Sequence, residues 1–538
     1  MKKHNISKVV FVTMLVFMLL TWILPAAYYS GEYVEQERIQ MGLFDLFNYP
    51  LTALSYFGYI ALFVILVGGF YGILYKIPAY RIFLDDIVEK LKGKEKVVLA
   101  IIVIINALIV SICGFQFGLA LFVPFIISLV LLMGYDKMVA AFVTVGSIIA
   151  GLIGTTYANS NIGILTSTFS LNFDYQIGVR FVILAVAIVL VIFNMLTYIK
   201  RNESEIKIEK KVIKKSAHST APAEKIIEKK DVVSKKTSAK KTTSKGSKTT
   251  SRGSKNSSAS RTRKNNNKAA LKEEDIIVVK ETLVKNNEFV PHPVNVKKTT
   301  LPIAILFGLL LVLFVVAFIP WGDSGFKVKL FDDATKGFQT MKIFGFPLFA
   351  KIFGTVNAFG NWNITDMFLP MALVIGLLAF IYNISFDDIF DGFKKGARIA
   401  LTPASIVLLL YSILVLVTYH PFQMTIYHFV LGLTKGFNVA TTAIVSMLAG
   451  LFNSDATYSF QSVAPYYASL VNAKNYGVSA VIFQSMYGLS MLVAPTSLVL
   501  MGILSYLDIS YKAWLKNIWK LFVEIFVILF IVFIILAI

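Results

Sequence analysis

Charge is what this sequence has least of. Of its 538 residues only 15% are Asp, Glu, Lys or Arg, against 56% hydrophobic and 14% aromatic, with a mean hydropathy of +0.70. A soluble globular chain is nearer a quarter charged, so a water-soluble enzyme is excluded and a polytopic membrane protein remains. Cysteine occurs once, at Cys113, which excludes an intrachain disulfide, and no Cys/His cluster offers a metal site. Neither Gly-x-x-x-x-Gly-Lys-Ser/Thr nor His-Glu-x-x-His is found, so ATP drive and zinc proteolysis lose their usual support, and no catalytic triad stands behind an enzyme reading.

What charge there is sits in one place. The net charge is +21, and residues 200–298 contribute +16 of it, with 27 Lys and Arg against 11 Asp and Glu. The core of that segment, Lys235 to Lys268, is Lys, Ser, Thr and Asn with almost nothing apolar, and such a composition buries too little surface to offset its ordering entropy. It reads as a disordered cytoplasmic linker, with attachment to anionic lipid headgroups as a second role. Nucleic-acid binding is disfavoured, because 218–288 holds no aromatic to stack on bases. A short helix is expected at Leu271–Val284.

The apolar runs set the architecture. Nine crossings are expected: Val9–Ala27, Leu51–Tyr75, Met138–Asn172 (interrupted), Phe181–Ile199, Leu301–Ile319, Asp366–Asn383, Leu401–Thr418, Tyr476–Tyr506 (interrupted) and Ile518–Ile538. The first competes with a cleaved signal peptide ending near Pro25-Ala26-Ala27, but its apolar run is long for that. Two more stretches, 97–134 and 437–472, each split into two short runs around a polar tip and read as re-entrant hairpins. Placing the lysine-rich loops inside puts the first hairpin on the cytoplasmic side and the second on the exterior, with Arg180, Lys435 and Lys474 as exceptions. Within the halves 1–199 and 299–538, residues 9–199 and 366–538 repeat the same order of parts with opposite orientation, Leu301–Ile319 being the extra crossing that inverts the second. The expected fold is an all-α polytopic membrane protein of inverted repeats with opposed hairpins and broken helices, which points to a secondary transporter.

Four polar interruptions pair across that repeat. The first tip carries Ser111, Gly114 and Gln116, and the first broken helix Thr156, Asn159, Ser160 and Asn161. Their counterparts are Asn453, Ser454, Asp455 and Thr457 in the second tip, and Pro495, Thr496 and Ser497 in the second broken helix. An opened helix exposes carbonyls to a cation and N–H groups to an anion, and Pro495 supplies a cause for one break. The neutral oxygens of Asn159, Ser160, Asn161, Thr496 and Ser497 suit Na⁺; interhelical hydrogen bonding is the plainer role for any one such cluster. Asp455 is the only carboxylate in either tip. Three roles compete for it, a proton-coupling group, a cation ligand and a counter-charge to a cationic substrate, beside the plainer one of helix cap. Asp174 and Arg180 read as surface residues near helix ends. His420 and His428 read as interfacial packing residues, Cys113 as a small packing residue, and Asp387, Asp388 and Asp391 as a solvated face.

Beyond these readings the sequence resembles the C4-dicarboxylate anaerobic carrier family. The carrying residues are Pro495-Thr496-Ser497-Leu498-Val499-Leu500-Met501-Gly502 and Tyr511-Lys512-Ala513-Trp514-Leu515-Lys516, with Gly134-Tyr135-Asp136, Pro465 and Phe483-Gln484. Thr21 to Ala26 and Gly68 to Leu74 add to the likeness. The resemblance implies a scaffold, a mobile domain with opposed hairpins, and elevator-like, ion-coupled movement (Na⁺ or H⁺) of small carboxylates or amino acids, and by analogy a homodimer. Some relatives are arginine/ornithine exchangers, and Asp455 would suit a guanidinium. Motif positions also depart: two adjacent Glu are replaced by Phe117-Gly118, an Asn-Pro-Phe by Asn159-Ser160-Asn161, and a Pro-Ser-Ser-Ser by Asn453 to Ala456. These changes move the charge of the site.

Overall fold

The structure is a computed structural model that describes residues 5–114, 117–216, 290–292, 299–322, 325–434, 436–453 and 455–538. Nearly all of the regular structure among these residues is α-helix, with a few short 3₁₀ turns, a π-helical stretch at Phe142–Gly146 and a two-stranded antiparallel ribbon of β1 (Ala27–Tyr29) and β2 (Tyr33–Glu35). Among the described residues, eight helices are long and apolar enough to cross a membrane: Ile6–Ile23, Asp45–Leu74, Glu95–Cys113, Ile177–Asn202, Leu301–Phe318, Ile364–Tyr382, Phe386–Tyr419 and Tyr511–Ala537. Seven of them coincide with expected crossings. The two interrupted crossings are instead pairs of short helices, and the eighth long helix is the first arm of the first hairpin.

Chain order gives the labels used below: α1 (Asn5–Ile23), α2 (Asp45–Leu74), α3 (Pro78–Lys90), α4 (Glu95–Cys113), α5 (Val123–Leu132), α6 (Lys137–Ile153), α7 (Asn159–Thr168), α8 (Ile177–Ser216), α9 (Leu301–Phe318), α10 (Leu330–Thr340), α11 (Leu348–Phe353), α12 (Phe368–Tyr382), α13 (Phe386–Tyr419), α14 (Gln423–Gly432), α15 (Val439–Phe452), α16 (Ala456–Leu470), α17 (Tyr476–Ser490), α18 (Leu498–Leu507) and α19 (Tyr511–Ala537). The chain divides into a large unit, Met1–Tyr198 with Thr282–Ile538, and a smaller one, Ile199–Glu281. Of the smaller unit only 199–216 are described, as the end of α8. Helix therefore continues past residue 199, where the linker was expected to begin. The expected disorder of Lys235 to Lys268 and the helix at Leu271–Val284 lie outside the described residues.

The most closely packed pair is α2 with α13. Glycines four apart on each helix let the backbones touch. A Cβ on Gly72 would lie 2.1 Å from the Gly392 carbonyl oxygen, and one on Gly396 would lie 2.0 Å from that of Gly68. One end of this pair is pinned by charge, with Lys76 2.6 Å from Asp391 and 3.5 Å from Asp388. Arg81 of α3 joins the same end, paired with Asp85 and donating to the Pro291 carbonyl at 2.6 Å. At the other end His420 is held between the Tyr49 hydroxyl and the Ile39 carbonyl, each at 2.5 Å. His428 stacks on Tyr33 at 3.8 Å and meets the Tyr466 hydroxyl at 2.6 Å. Burial raises the Tyr33 phenol above its ordinary value, so it stays neutral. Both histidines are packing residues, as expected.

The hairpins differ from each other in length. In the second, α15 and α16 have 14 and 15 residues, about 21 and 22 Å of helix, short of a hydrocarbon core of about 30 Å. In the first, α4 has 19 residues and α5 only 10. The α4 helix starts at Glu95, ahead of the apolar run, which makes the first arm longer than periodicity predicted.

Candidate substrate site

Each hairpin end is hydrogen-bonded to the broken helix that follows it, and the two joints are built alike. In the first, α6 ends at Ile153 and α7 starts at Asn159. The freed N–H groups of Thr156 and Tyr157 donate to the Ser111 carbonyl at 2.9 and 3.1 Å. The Ser111 hydroxyl donates to the Gly154 carbonyl at 2.6 Å, and the Thr156 hydroxyl lies 3.2 Å from the Ser111 carbonyl. In the second, Pro495 lacks an N–H and separates α17 from α18. There the Thr496 hydroxyl reaches the Gly450 and Leu451 carbonyls at 3.1 and 3.0 Å. So a threonine in each break meets the carbonyl end of each first hairpin arm. Gly114, at φ +80°, lies so close to the first break that a Cβ would sit 2.2 Å from the Ser160 hydroxyl.

The two broken helices also grip each other. A Cβ on Gly488 would be 2.7 Å from the Ile153 backbone N, and Gln484 donates to the Thr155 carbonyl at 3.1 Å. Asp455 caps α16 by accepting from the Tyr458 N–H at 2.8 Å, while its own N–H donates to Asn453 Oδ1 at 2.8 Å. The Thr457 hydroxyl then crosses to the Ser160 carbonyl at 3.3 Å, which joins the second hairpin to the first break.

These contacts surround a cavity of about 500 Å³ lined by Ser160, Asn161, Asp455, Ala456, Thr457, Ser497, Leu498 and Val499, and by Tyr59, Ile60, Leu152, Asn363, Ile364, Thr365, Tyr411, Tyr487 and Met491. Three helices, α7, α16 and α18, begin at its wall. Each N-terminus carries about +0.5 of an elementary charge. Asp455 and Ser497 each take one N–H of α16 and α18, from Tyr458 and Leu500, but the rest of each first turn is a natural seat for a carboxylate. Asp455 is the one formal charge among the lining residues.

Of the residues singled out in the sequence, Ser160, Asn161, Asp455, Thr457 and Ser497 line this space. Ser111, Gly114, Thr156, Asn453 and Thr496 stand behind it in the joints, with Pro495 in the second break. Asn159 is exposed at the start of α7 and outside the lining. Gln116 and Ser454 lie outside the described residues. Of the five oxygens suited to Na⁺, three therefore face the cavity, and Thr496 is committed to carbonyls. Cys113 is buried as a packing residue.

Residue-type reasoning missed the aromatic side of the cavity, Tyr59, Tyr411 and Tyr487, and the polar pair Asn363 and Thr365. A tyrosine inside an apolar helix gives no signal that separates core from cavity. Arg180 is a correction: it was expected at the surface, yet it is fully buried, with its guanidinium 4.2 Å over the Tyr175 ring. The loop 169–176 folds over it, which its nearness to a helix end did not reveal.

Helices broken at paired places around a polar cavity, inside an apolar helical body, define a membrane carrier. A profile described as "C4-dicarboxylate anaerobic carrier" matches residues 4–245 and 286–538, and the chain belongs to that family. The family is named for carriers, and the long apolar helices among the described residues fit an integral membrane protein. A protein of Haemophilus influenzae described as uncharacterized is 24% identical over 179 residues, 32% of this chain and 34% of that one. The match thus spans about a third of that relative's length. No solved structure matches.

Proposed function

We propose that the protein is a secondary active transporter of a small carboxylate-bearing metabolite, a C4-dicarboxylate or an amino acid, driven by a coupling ion or by exchange. The observation that carries this reading is the convergence of three helix N-termini and one carboxylate on a single cavity. Three N-termini at about +0.5 each, less one for Asp455, leave a balance near +0.5. That suits a monoanion or a zwitterion. A dianion requires further positive charge, and Asp455 is one place for it, through a proton or through Na⁺ beside Ser160, Asn161 and Ser497; with a different substrate, Asp455 instead faces the ammonium or guanidinium of a cationic amino acid. The last is the arginine/ornithine-exchanger reading, and the tyrosines Tyr59, Tyr411 and Tyr487 around Asp455 favour it through their ring faces.

The inverted-repeat reading draws support from the paired threonine joints, and elevator movement from the close α2–α13 pair beside the hairpin and break elements. A homodimer rests on the family resemblance, and so does the cytoplasmic membrane as location, with the basic linker inside.

Efflux from proteoliposomes preloaded with labelled succinate, aspartate, arginine or ornithine, with and without external counter-substrate, tests the reading. Saturable, counter-substrate-stimulated release of one of them is the expected result. Release of none by folded protein rejects the carboxylate reading, and unsaturable release of all favours a channel. Asp455→Asn separates the two charge roles. A cation-coupled dicarboxylate carrier loses its Na⁺ or H⁺ dependence, whereas a cationic amino-acid exchanger loses its preference for the cation by about tenfold or more.

A further inference from the structure

Two charged side chains are buried among the described residues, and their surroundings differ. Arg81 has Asp85 at 2.7 Å and the Pro291 carbonyl at 2.6 Å. Arg180 is fully buried, and no carboxylate among the described residues forms a salt bridge with it, although the charge of Asp174 acts on it from further away. One nitrogen, Nη2, donates to the Phe173 carbonyl at 2.7 Å, while Nε and Nη1 have no hydrogen-bond partner. The Tyr175 ring beneath offsets only part of what it costs to bury a guanidinium.

Its position relates this cation to the carrier site. Leu184, one helical turn further along α8, has its Cα 2.4 Å from where a Cβ on Gly154 would be, so this stretch of α8 lies against the first break. Tyr175 donates its hydroxyl to Gln484 Oε1 at 2.7 Å, and Gln484 donates to the Thr155 carbonyl at 3.1 Å. A ring stack and two hydrogen bonds thus connect the guanidinium to the opened segment, whose far side, Ser160 and Asn161, lines the cavity. The cavity itself has no basic side chain among its lining residues. A substrate with two carboxylates brings more negative charge than the helix N-termini match beside Asp455.

We propose that Arg180 is an anion-binding residue of the transport cycle, the one that takes the second carboxylate of a dicarboxylate substrate at the first break. This rests on the carboxylate-transporter reading and deepens it. The guanidinium discriminates a dicarboxylate from a monocarboxylate; the helix N-termini hold the carboxylate common to both.

The test is calorimetric binding to the purified full-length protein of succinate and of its monoamide, which differ in one carboxylate. Wild type is expected to bind succinate about 10- to 100-fold more tightly than the monoamide. Arg180→Gln should bring that ratio to about one with monoamide affinity unchanged. Arg180→Lys, which keeps the charge without the planar fork, should fall between, and it decides the matter if the Gln variant does not fold. Tyr175→Phe, which keeps the ring and removes the hydroxyl, should leave the ratio intact. Equal weakening of both ligands in the Arg180 variants, as from a merely structural arginine, overturns the proposal, and so does a retained ratio. Wild type that binds both ligands equally overturns the Arg180 assignment and leaves carboxylate transport standing. Binding of neither overturns this proposal and removes the dicarboxylate from the transporter reading, whose amino-acid branch the efflux assay decides.

Discussion

At the scale of single residues, the site depends on hydroxyls that meet carbonyls. Helix termini leave their last C=O groups without intrahelical partners, and in a membrane interior water does not satisfy them. Thr496 meets two such groups, at Gly450 and Leu451. Thr496→Val keeps the shape and removes the donor, so it should lower stability by about 1–3 kcal/mol, seen as a drop in the unfolding temperature of the detergent-solubilised protein. An unchanged unfolding temperature would remove the joint from the account. Thr156 belongs to the equivalent joint, and Thr156→Val is expected to act in the same direction. These hydroxyls were legible in the sequence because polar residues inside apolar runs stand out. Asp455 was legible for the same reason, and the structure finds it both capping α16 and lining the cavity. The tyrosines were not legible, since a phenol suits core, interface and cavity alike. Arg180 was misplaced because exposure depends on how the loop 169–176 folds, and local composition carries no trace of that.

At the scale of elements, glycine spacing decides which helices form a fixed pair. The α2–α13 crossing has no room for side chains at its centre, and Gly72 faces backbone atoms that have nowhere to move. Gly72→Val should therefore abolish folded protein, read as loss of the monodisperse peak in size-exclusion chromatography. Gly308→Val on α9, where a Cβ meets nothing within 4 Å, should leave the peak intact. A folded Gly72 variant would show that the helices can separate, and would remove the reason for treating them as a static frame. The seven simple crossings were legible from length and hydropathy. The arms of the first hairpin were less so, because α4 recruits Glu95 and Lys96 at one end and, at the other, Ser111 to Cys113, which were expected in the tip turn, and so reaches spanning length.

For the whole molecule, the question is which parts travel together. The broken helices are locked to each other at Gly488 and Ile153 and through Gln484, and each is joined to its own hairpin. The frame of α2, α9, α12 and α13 meets this group chiefly where α13 packs along α18 of the second break, and at smaller contacts elsewhere. One is the loop that follows α9, where Phe326 packs on Tyr157 of the first break with ring centroids 4.6 Å apart. If the hairpins and breaks move as one body, a covalent link inside that body is harmless and a link to the frame is not. With Cys113 replaced by Ser, cysteines at Gln176 and Gly477 test the first case. Gln176 Cγ lies 3.7 Å from where a Cβ on Gly477 would be, and both positions are outside the cavity lining. Cysteines at Tyr157 and Phe326, joined by a short bifunctional thiol reagent, test the second. Transport should persist after the first link and stop after the second, with reductant restoring nothing in the first pair because nothing was lost. If both links stop transport, the hairpins and breaks do not move as a rigid group. If neither does, the passage of substrate needs no displacement of the broken helices against the frame, and the cavity opens by movement of the hairpin tips alone.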